Sequence, residues 1–176
     1  MKNLDKSGVS IIGGAGHVGF PLGLALAQKN FNVNLVDINK RNLENIKKGI
    51  VPFKEKGAKE ALIKCKKKNK LSFSSNLKNI SVKKYIIICI GTPINKNLKP
   101  ELKSFLKFIN NLKKNISKKN IIIIRSSIYP GMINRIEQML YNKNKNIVYC
   151  PERIVQGLAL EELPTLPQII ASNNKK

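Results

Sequence analysis

Between Ser10 and Gly23 the chain reads SIIGGAGHVGFPLG. An apolar, β-branched start gives way to glycine, and glycine gives way to an apolar stretch at helical spacing. A helix that follows a buried strand across so short a turn must lie back over the sheet, which narrows the fold to strand–turn–helix units. Gly14, Gly16 and Gly19 form G-x-G-x-x-G, and each glycine has its own reason. The first permits a sharp turn, the second lets backbone approach a pyrophosphate, and the third lets the helix pack closely. An anion at this place meets unpaired N–H groups and the positive end of the helix dipole. Asp37 closes the next apolar run, where a carboxylate accepts hydrogen bonds from ribose hydroxyls. The loop therefore predicts a dinucleotide site.

The rest of the chain repeats the alternation. Short runs suited to strands occur at Val9–Gly13, Asn32–Asp37, Leu71–Ser75, Tyr85–Ile90, Ile121–Ser126 and Ile147–Cys150. Four are nearly continuous in apolar or β-branched residues, as strands buried on both faces of a parallel sheet are. Helical patterns fall at His17–Lys29, Lys40–Lys48, Ala58–Lys68, Glu101–Asn115 and Met132–Asn142. In the fourth, Leu102, Phe105, Leu106, Ile109 and Leu112 make one apolar stripe. The expectation is an α/β Rossmann fold, a doubly wound and mostly parallel sheet in a single domain over 1–171. The end of the chain, ASNNKK, is polar and expected to fray, with 172–176 as a tail.

Composition adds limits. The 176 residues carry 33 Lys plus Arg against 10 Asp plus Glu, a formal charge of +23. The lysines are scattered beside Asn and Ile, as in KKNISKKNIIII, which reads as compositional bias on a solvated surface. Aromatic residues are only 6%, and no aromatic–basic interleaving occurs, so no specific nucleic-acid partner is expected. Cys65, Cys89 and Cys150 show no paired or metal-ligand spacing, so no metal is expected and a reduced, cytoplasmic setting fits. No apolar run reaches the ~20 residues of a membrane span, and MKNLDKSG is no signal peptide.

Three clusters lie at strand ends, where ligands collect in an open parallel sheet. They are CIGTPI (Cys89–Ile94), IIRSSIYPGM (Ile123–Met132) and VYCPERIVQG (Val148–Gly157). Each alone reads as turn chemistry. Together with GGAGHVGFPLGLALA, VDIN, GIVPFKEKG and ELPTLPQII they resemble the N-terminal NAD-binding domain of the UDP-glucose/GDP-mannose dehydrogenase family. YCPER followed by LPQII is more similar to the branch acting on UDP-N-acetylhexosamines, such as UDP-N-acetylmannosamine dehydrogenase, than to the UDP-glucose branch.

The resemblance implies two successive NAD-dependent oxidations at C6 of a UDP-sugar, from alcohol through aldehyde to carboxylate. It implies that Gly14, Gly16 and Gly19, with His17 and Val18 between them, hold the pyrophosphate, and that Asp37 holds a ribose with Arg41 near the adenosine. Gly91 and Thr92 belong to the same cofactor edge, with Ser126 and Ser127 near the nicotinamide half. Thr92 and Glu152 reach the substrate side. There Glu152 helps water attack a thioester and Thr92 helps position that water. The family's nucleophilic cysteine, its dimerising central helix and its UDP-binding domain come from segments after those matched here. The sugar site is thus shared with a second half, and the family's full-length protein is a homodimer.

Two residues invite stronger roles than they merit. His17, the sole histidine, reads as packing or loop support rather than a base, having no carboxylate near it in sequence. Cys150 precedes Pro151 at a strand end and reads as a small packed side chain, not a nucleophile. A stand-alone dinucleotide-sensing or partner-binding module without catalysis is the competing reading.

Overall fold

The structure is a computed structural model and describes residues 8–78, 80–92 and 102–173. Six short strands form one sheet: β1 (Val9–Ile12), β2 (Val33–Val36), β3 (Leu71–Ser74), β4 (Tyr85–Ile88), β5 (Ile121–Ile124) and β6 (Ile147–Tyr149). Their order is β3-β2-β1-β4-β5-β6, and every pairing between them is parallel. The chain winds outward from β1 to β3, returns, and winds outward again from β4 to β6. The direction reverses between β1 and β4, where an open sheet of this kind leaves a crevice beyond its carboxyl ends.

The helices are α1 (Gly19–Gln28), α2 (Lys40–Lys48), α3 (Ala58–Lys67), α4 (Leu102–Lys113), α5 (Met132–Leu140) and α6 (Ala159–Glu162). Alternate side chains of the strands serve opposite faces. Val9, Ile11, Val33, Leu35 and Ile87 pack with α1, α2 and α3. Ile12, Val36, Ile86, Ile88, Ile122 and Ile124 pack with α4 and α5. Filling both faces is what near-continuous apolar strands require.

Elements end earlier than their apolar runs suggest. β5 stops at Ile124 because the amides of Arg125 and Ser126 both turn to Ile88 O, at 2.9 and 3.1 Å. Helix α1 begins at Gly19 rather than His17, since Gly16 N closes a turn on Gly13 O. Helix α5 ends at Leu140, whose carbonyl takes the N–H groups of both Lys143 and Asn144. A 3-10 turn at Ile80–Val82 and helix α6 are additions, both too short to carry a period. Glu101 and Ile94, included in the sequence reading, lie outside the described residues.

Residues 171–173 are held against the edge of the sheet. Ala171 pairs with Tyr149 in an antiparallel bridge, its N–H and C=O both engaged at 2.9 and 2.8 Å. Ser172 Oγ donates to Ile147 O, and Asn173 Nδ2 donates to Glu137. The edge strand β6 needs partners on its outer side, and this segment supplies them.

At the amino ends of the strands, asparagines close the loops. Asn120 Nδ2 donates to Ser81 O and Lys83 O, and Asn144 Nδ2 donates to Ser117 O and Asn120 O at 2.7 and 2.8 Å. Asn144 is 2% exposed, so its loss strands polar groups away from water. Asn144→Ala is expected to cost about 1–3 kcal/mol, read as an earlier midpoint in urea or thermal unfolding.

Candidate functional site

The glycine loop leaves the carboxyl end of β1 at the reversal point of the sheet. Its sharp turn sits at Gly13, one residue before the glycine the motif suggests. Gly13 has φ +82°, and a Cβ there would lie 2.5 Å from Cys89 O. Gly14 serves closeness instead: a Cβ would lie 2.8 Å from Ile11 O and 2.9 Å from Leu35 Cα. At Gly19 a Cβ would come within 2.3 Å of Gly13 O, so the start of α1 is folded hard against the loop. Gly16 is the open one, its nearest neighbour being Gly13 O at 3.4 Å. Val18 caps α1 by backbone conformation alone, with no side-chain hydrogen bond. Within the first turn Phe20 N donates to Gly16 O and Leu22 N to Val18 O, and Pro21 has no N–H, so the donors left for an anion among the described residues are the amides of His17, Val18 and Gly19.

Asp37 is tied to this loop. Its Oδ2 accepts the Ala15 N–H at 2.9 Å and its Oδ1 accepts the Asn39 N–H at 2.9 Å. Each oxygen keeps a second lone pair. Arg41 is exposed on the first turn of α2. His17 is exposed and its ring lies 4.0 Å from that of Phe53, in keeping with the packing role.

A second group spans the ends of β4 and β5. Ser126 Oγ donates to Ile90 O at 2.7 Å, and Thr92 Oγ1 donates to Ser127 O at 2.7 Å. These two bonds clip the Gly91–Thr92 turn to Ser126–Ser127. Ser126 is buried, while Gly91 and Ser127 are exposed.

The third group is a buried ion pair that spacing does not reveal. Arg125, 6% exposed, donates through Nε to Glu152 Oε2 at 2.9 Å and through Nη2 to the same oxygen. Its Nη1 donates to Gln168 Oε1 at 3.0 Å and to Cys150 Sγ at 3.1 Å. Glu152 Oε1 accepts the N–H groups of Arg153 and Ile154, at 2.8 and 3.2 Å. A carboxylate offers about four lone-pair sites, and four donors point at this one. Glu152 is therefore an anchored group. No hydrogen bond among the described residues joins it to Thr92, the residue paired with it by resemblance. The signal for Arg125 in the sequence is a cation placed directly after four isoleucines, IIIIR, where the chain is still inside the protein.

Cys150 is buried beside this guanidinium. Burial pushes the Cys89 thiol up to about 12, against the pull of Arg125, while Glu152 and Cys150 add to the rise. Burial likewise pushes the Cys65 thiol up. Neither is a thiolate near neutral pH.

The family model described as the UDP-glucose/GDP-mannose dehydrogenase family, NAD binding domain, matches residues 7–176. The chain belongs to this family. A UDP-N-acetyl-D-mannosamine dehydrogenase of Methanococcus vannielii is 30% identical over 173 residues, covering 93% of this chain and 38% of that protein. A putative UDP-glucose 6-dehydrogenase of Bacillus subtilis is 33% identical over 156 residues, covering 85% of this chain and 36% of that protein. In structure, GDP-mannose dehydrogenase from Pseudomonas aeruginosa superposes with TM-score 0.86 at 24% identity, over 95% of this chain and 41% of that one. The chain thus spans well under half the length of the relatives it matches. NAD is the cofactor of this domain, and the residues present fit it: glycines where a Cβ would collide, a helix start with no side-chain cap, and a strand-end carboxylate with free lone pairs.

Removing one member of the buried pair leaves the other charged and unpartnered. Arg125→Met is expected to cost about 3–5 kcal/mol, and Arg125→Met with Glu152→Gln to recover much of that loss, measured by urea denaturation. The raised thiol makes a second expectation. The unfolded chain releases the Cys89 proton first, so this group leaves stability untouched below the ordinary thiol range and erodes it as pH rises toward about 12. At pH 8, iodoacetamide should label Cys89 in the folded chain far more slowly than in urea, as followed by mass spectrometry.

Proposed function

We propose that this chain is the NAD-binding part of a nucleotide-sugar 6-dehydrogenase, acting on C6 of a UDP-N-acetylhexosamine or of UDP-glucose. The observation that carries the cofactor half of this reading is the Asp37–Ala15 bond. It sets a strand-end carboxylate beside a glycine loop at the start of a helix that has no side-chain cap. Gly14, Gly16 and Gly19, with His17 and Val18, would take the pyrophosphate, and Asp37 a ribose with Arg41 near the adenosine. Gly91, Thr92, Ser126 and Ser127 would border the nicotinamide half. NAD supplies a hydride acceptor in each oxidation.

Glu152 is assigned to thioester hydrolysis, where it would take a proton from water. Its four donors define what that requires. One of them must withdraw before a water can bond to the carboxylate, so Glu152 works only after a local rearrangement. Thr92 has its hydroxyl proton on Ser127 O and would offer a water its oxygen lone pairs. The sugar nucleotide would be bound together with a second half of the enzyme, in a homodimer. Three free cysteines suit the cytoplasm.

The test is binding without turnover. The purified chain should show a thermal shift with NADH and bind NADH at least about tenfold more tightly than NADPH, since Asp37 repels a 2′-phosphate. It should produce no NADH from UDP-N-acetylmannosamine, UDP-N-acetylglucosamine or UDP-glucose. Equal affinity for NADPH would show the end of β2 misread. Steady-state oxidation by the chain alone would show that a second half is not needed.

A further inference from the structure

Residues 51–57 lie between the glycine loop and the segment that carries Glu152, and they touch both. On one side the His17 ring rests on Phe53, and Phe53 meets the fully buried Phe20 edge-on at 5.9 Å. On the other side the Glu55 carboxylate reaches across more than a hundred residues of sequence. Its Oε2 accepts the Gly157 N–H and its Oε1 the Leu160 N–H, both at 3.1 Å. Lys56 N donates back to Gly157 O at 3.0 Å. A cleft of about 570 Å3, lined by His17, Glu55 and Gly157 among others, opens between the two sides.

The segment from Glu152 to Leu160 is held at its end by the fully buried Ala159, and along its length it has two carboxylate moorings of different kinds. One is the Arg125–Glu152 pair, with side chains only 7% and 9% exposed. The other is Glu55, half-buried, and two residues along the backbone from a ring that touches the glycine loop. Hydrogen bonds to a carboxylate are among the stronger ones, and they fail when the carboxylate is displaced by about an ångström. The hydrogen bonds at Gly157 and Leu160 thus respond to where the Glu55 backbone stands, two residues from Phe53.

We propose that Glu55 is a positioning residue that links the state of the glycine loop to the placement of the segment carrying Glu152. This rests on the reading that the loop binds NAD. A dinucleotide on the loop fixes His17, His17 fixes Phe53, and the backbone from Phe53 to Glu55 aims both carboxylate oxygens at Gly157 and Leu160. Linkage is reciprocal: whatever cofactor binding does to the mooring, loss of the mooring does to cofactor affinity.

Amide exchange at Gly157 and Leu160, with and without saturating NADH, tests this on the 176-residue chain, alongside NADH titration by fluorescence. In the unaltered chain NADH should slow exchange at both amides by about threefold or more. Glu55→Gln leaves one acceptor oxygen for two N–H groups. It should speed exchange in the absence of NADH, abolish the NADH-dependent slowing, and weaken NADH binding by a comparable factor. Phe53→Leu keeps Glu55 and breaks the ring contact; it should likewise abolish the NADH-dependent slowing. A static brace would give faster exchange in Glu55→Gln with unchanged NADH affinity and an unchanged NADH effect, and that result overturns the proposal. NADH binding to the unaltered chain with no response at these amides overturns it alone. No NADH binding at all removes the cofactor reading and this proposal with it.

Discussion

Gly19 sits so close to the Gly13 carbonyl that no side chain fits between them, and the carboxyl edge of the sheet is built outward from that contact. It fixes the angle at which α1 leaves β1, and hence where the amides of His17, Val18 and Gly19 stand. It also holds Ala15 where Asp37 of the neighbouring strand can accept its N–H. A methyl group at Gly19 would have to move backbone, because the colliding atoms belong to the loop itself and to no flexible side chain. On the other side of this contact the turn at Gly13 stands against the Cys89 carbonyl, just past the end of β4.

Much of the fold was legible because burial on both faces leaves a plain mark. Each of the six apolar runs contains a strand, and each of the five helical patterns contains a helix. The boundaries were less so. Side chains report whether a residue is inside, but strands end where amides choose a new acceptor, as those of Arg125 and Ser126 do at Ile88 O. Gly13 and Gly14 could not be told apart by type, since their difference is one of backbone sign.

The site divides in the same way. The glycine loop and Asp37 are close in sequence and follow a spacing set by one strand–helix–strand unit. The Arg125–Glu152 pair and the Glu55 mooring join elements far apart in the chain, where no period operates. Arg125 left a trace as a cation among isoleucines, whereas Glu55 stood inside GIVPFKEKG with nothing to point to its partners at Gly157 and Leu160. Glu152 was read as a reactive carboxylate, and its surroundings first show an anchored one. Charge type predicts capacity for proton transfer; the number of donors already aimed at the group decides whether that capacity is free.

The Asp37–Ala15 bond has a consequence for the thermodynamics of ligand exchange. The loop's shape is held by the protein's own hydrogen bonds and by glycine packing, so little chain entropy remains to be lost when an anion arrives. Association is then governed by desolvation and contact rather than by folding of the cradle. A cradle of that kind releases its guest without having to unravel.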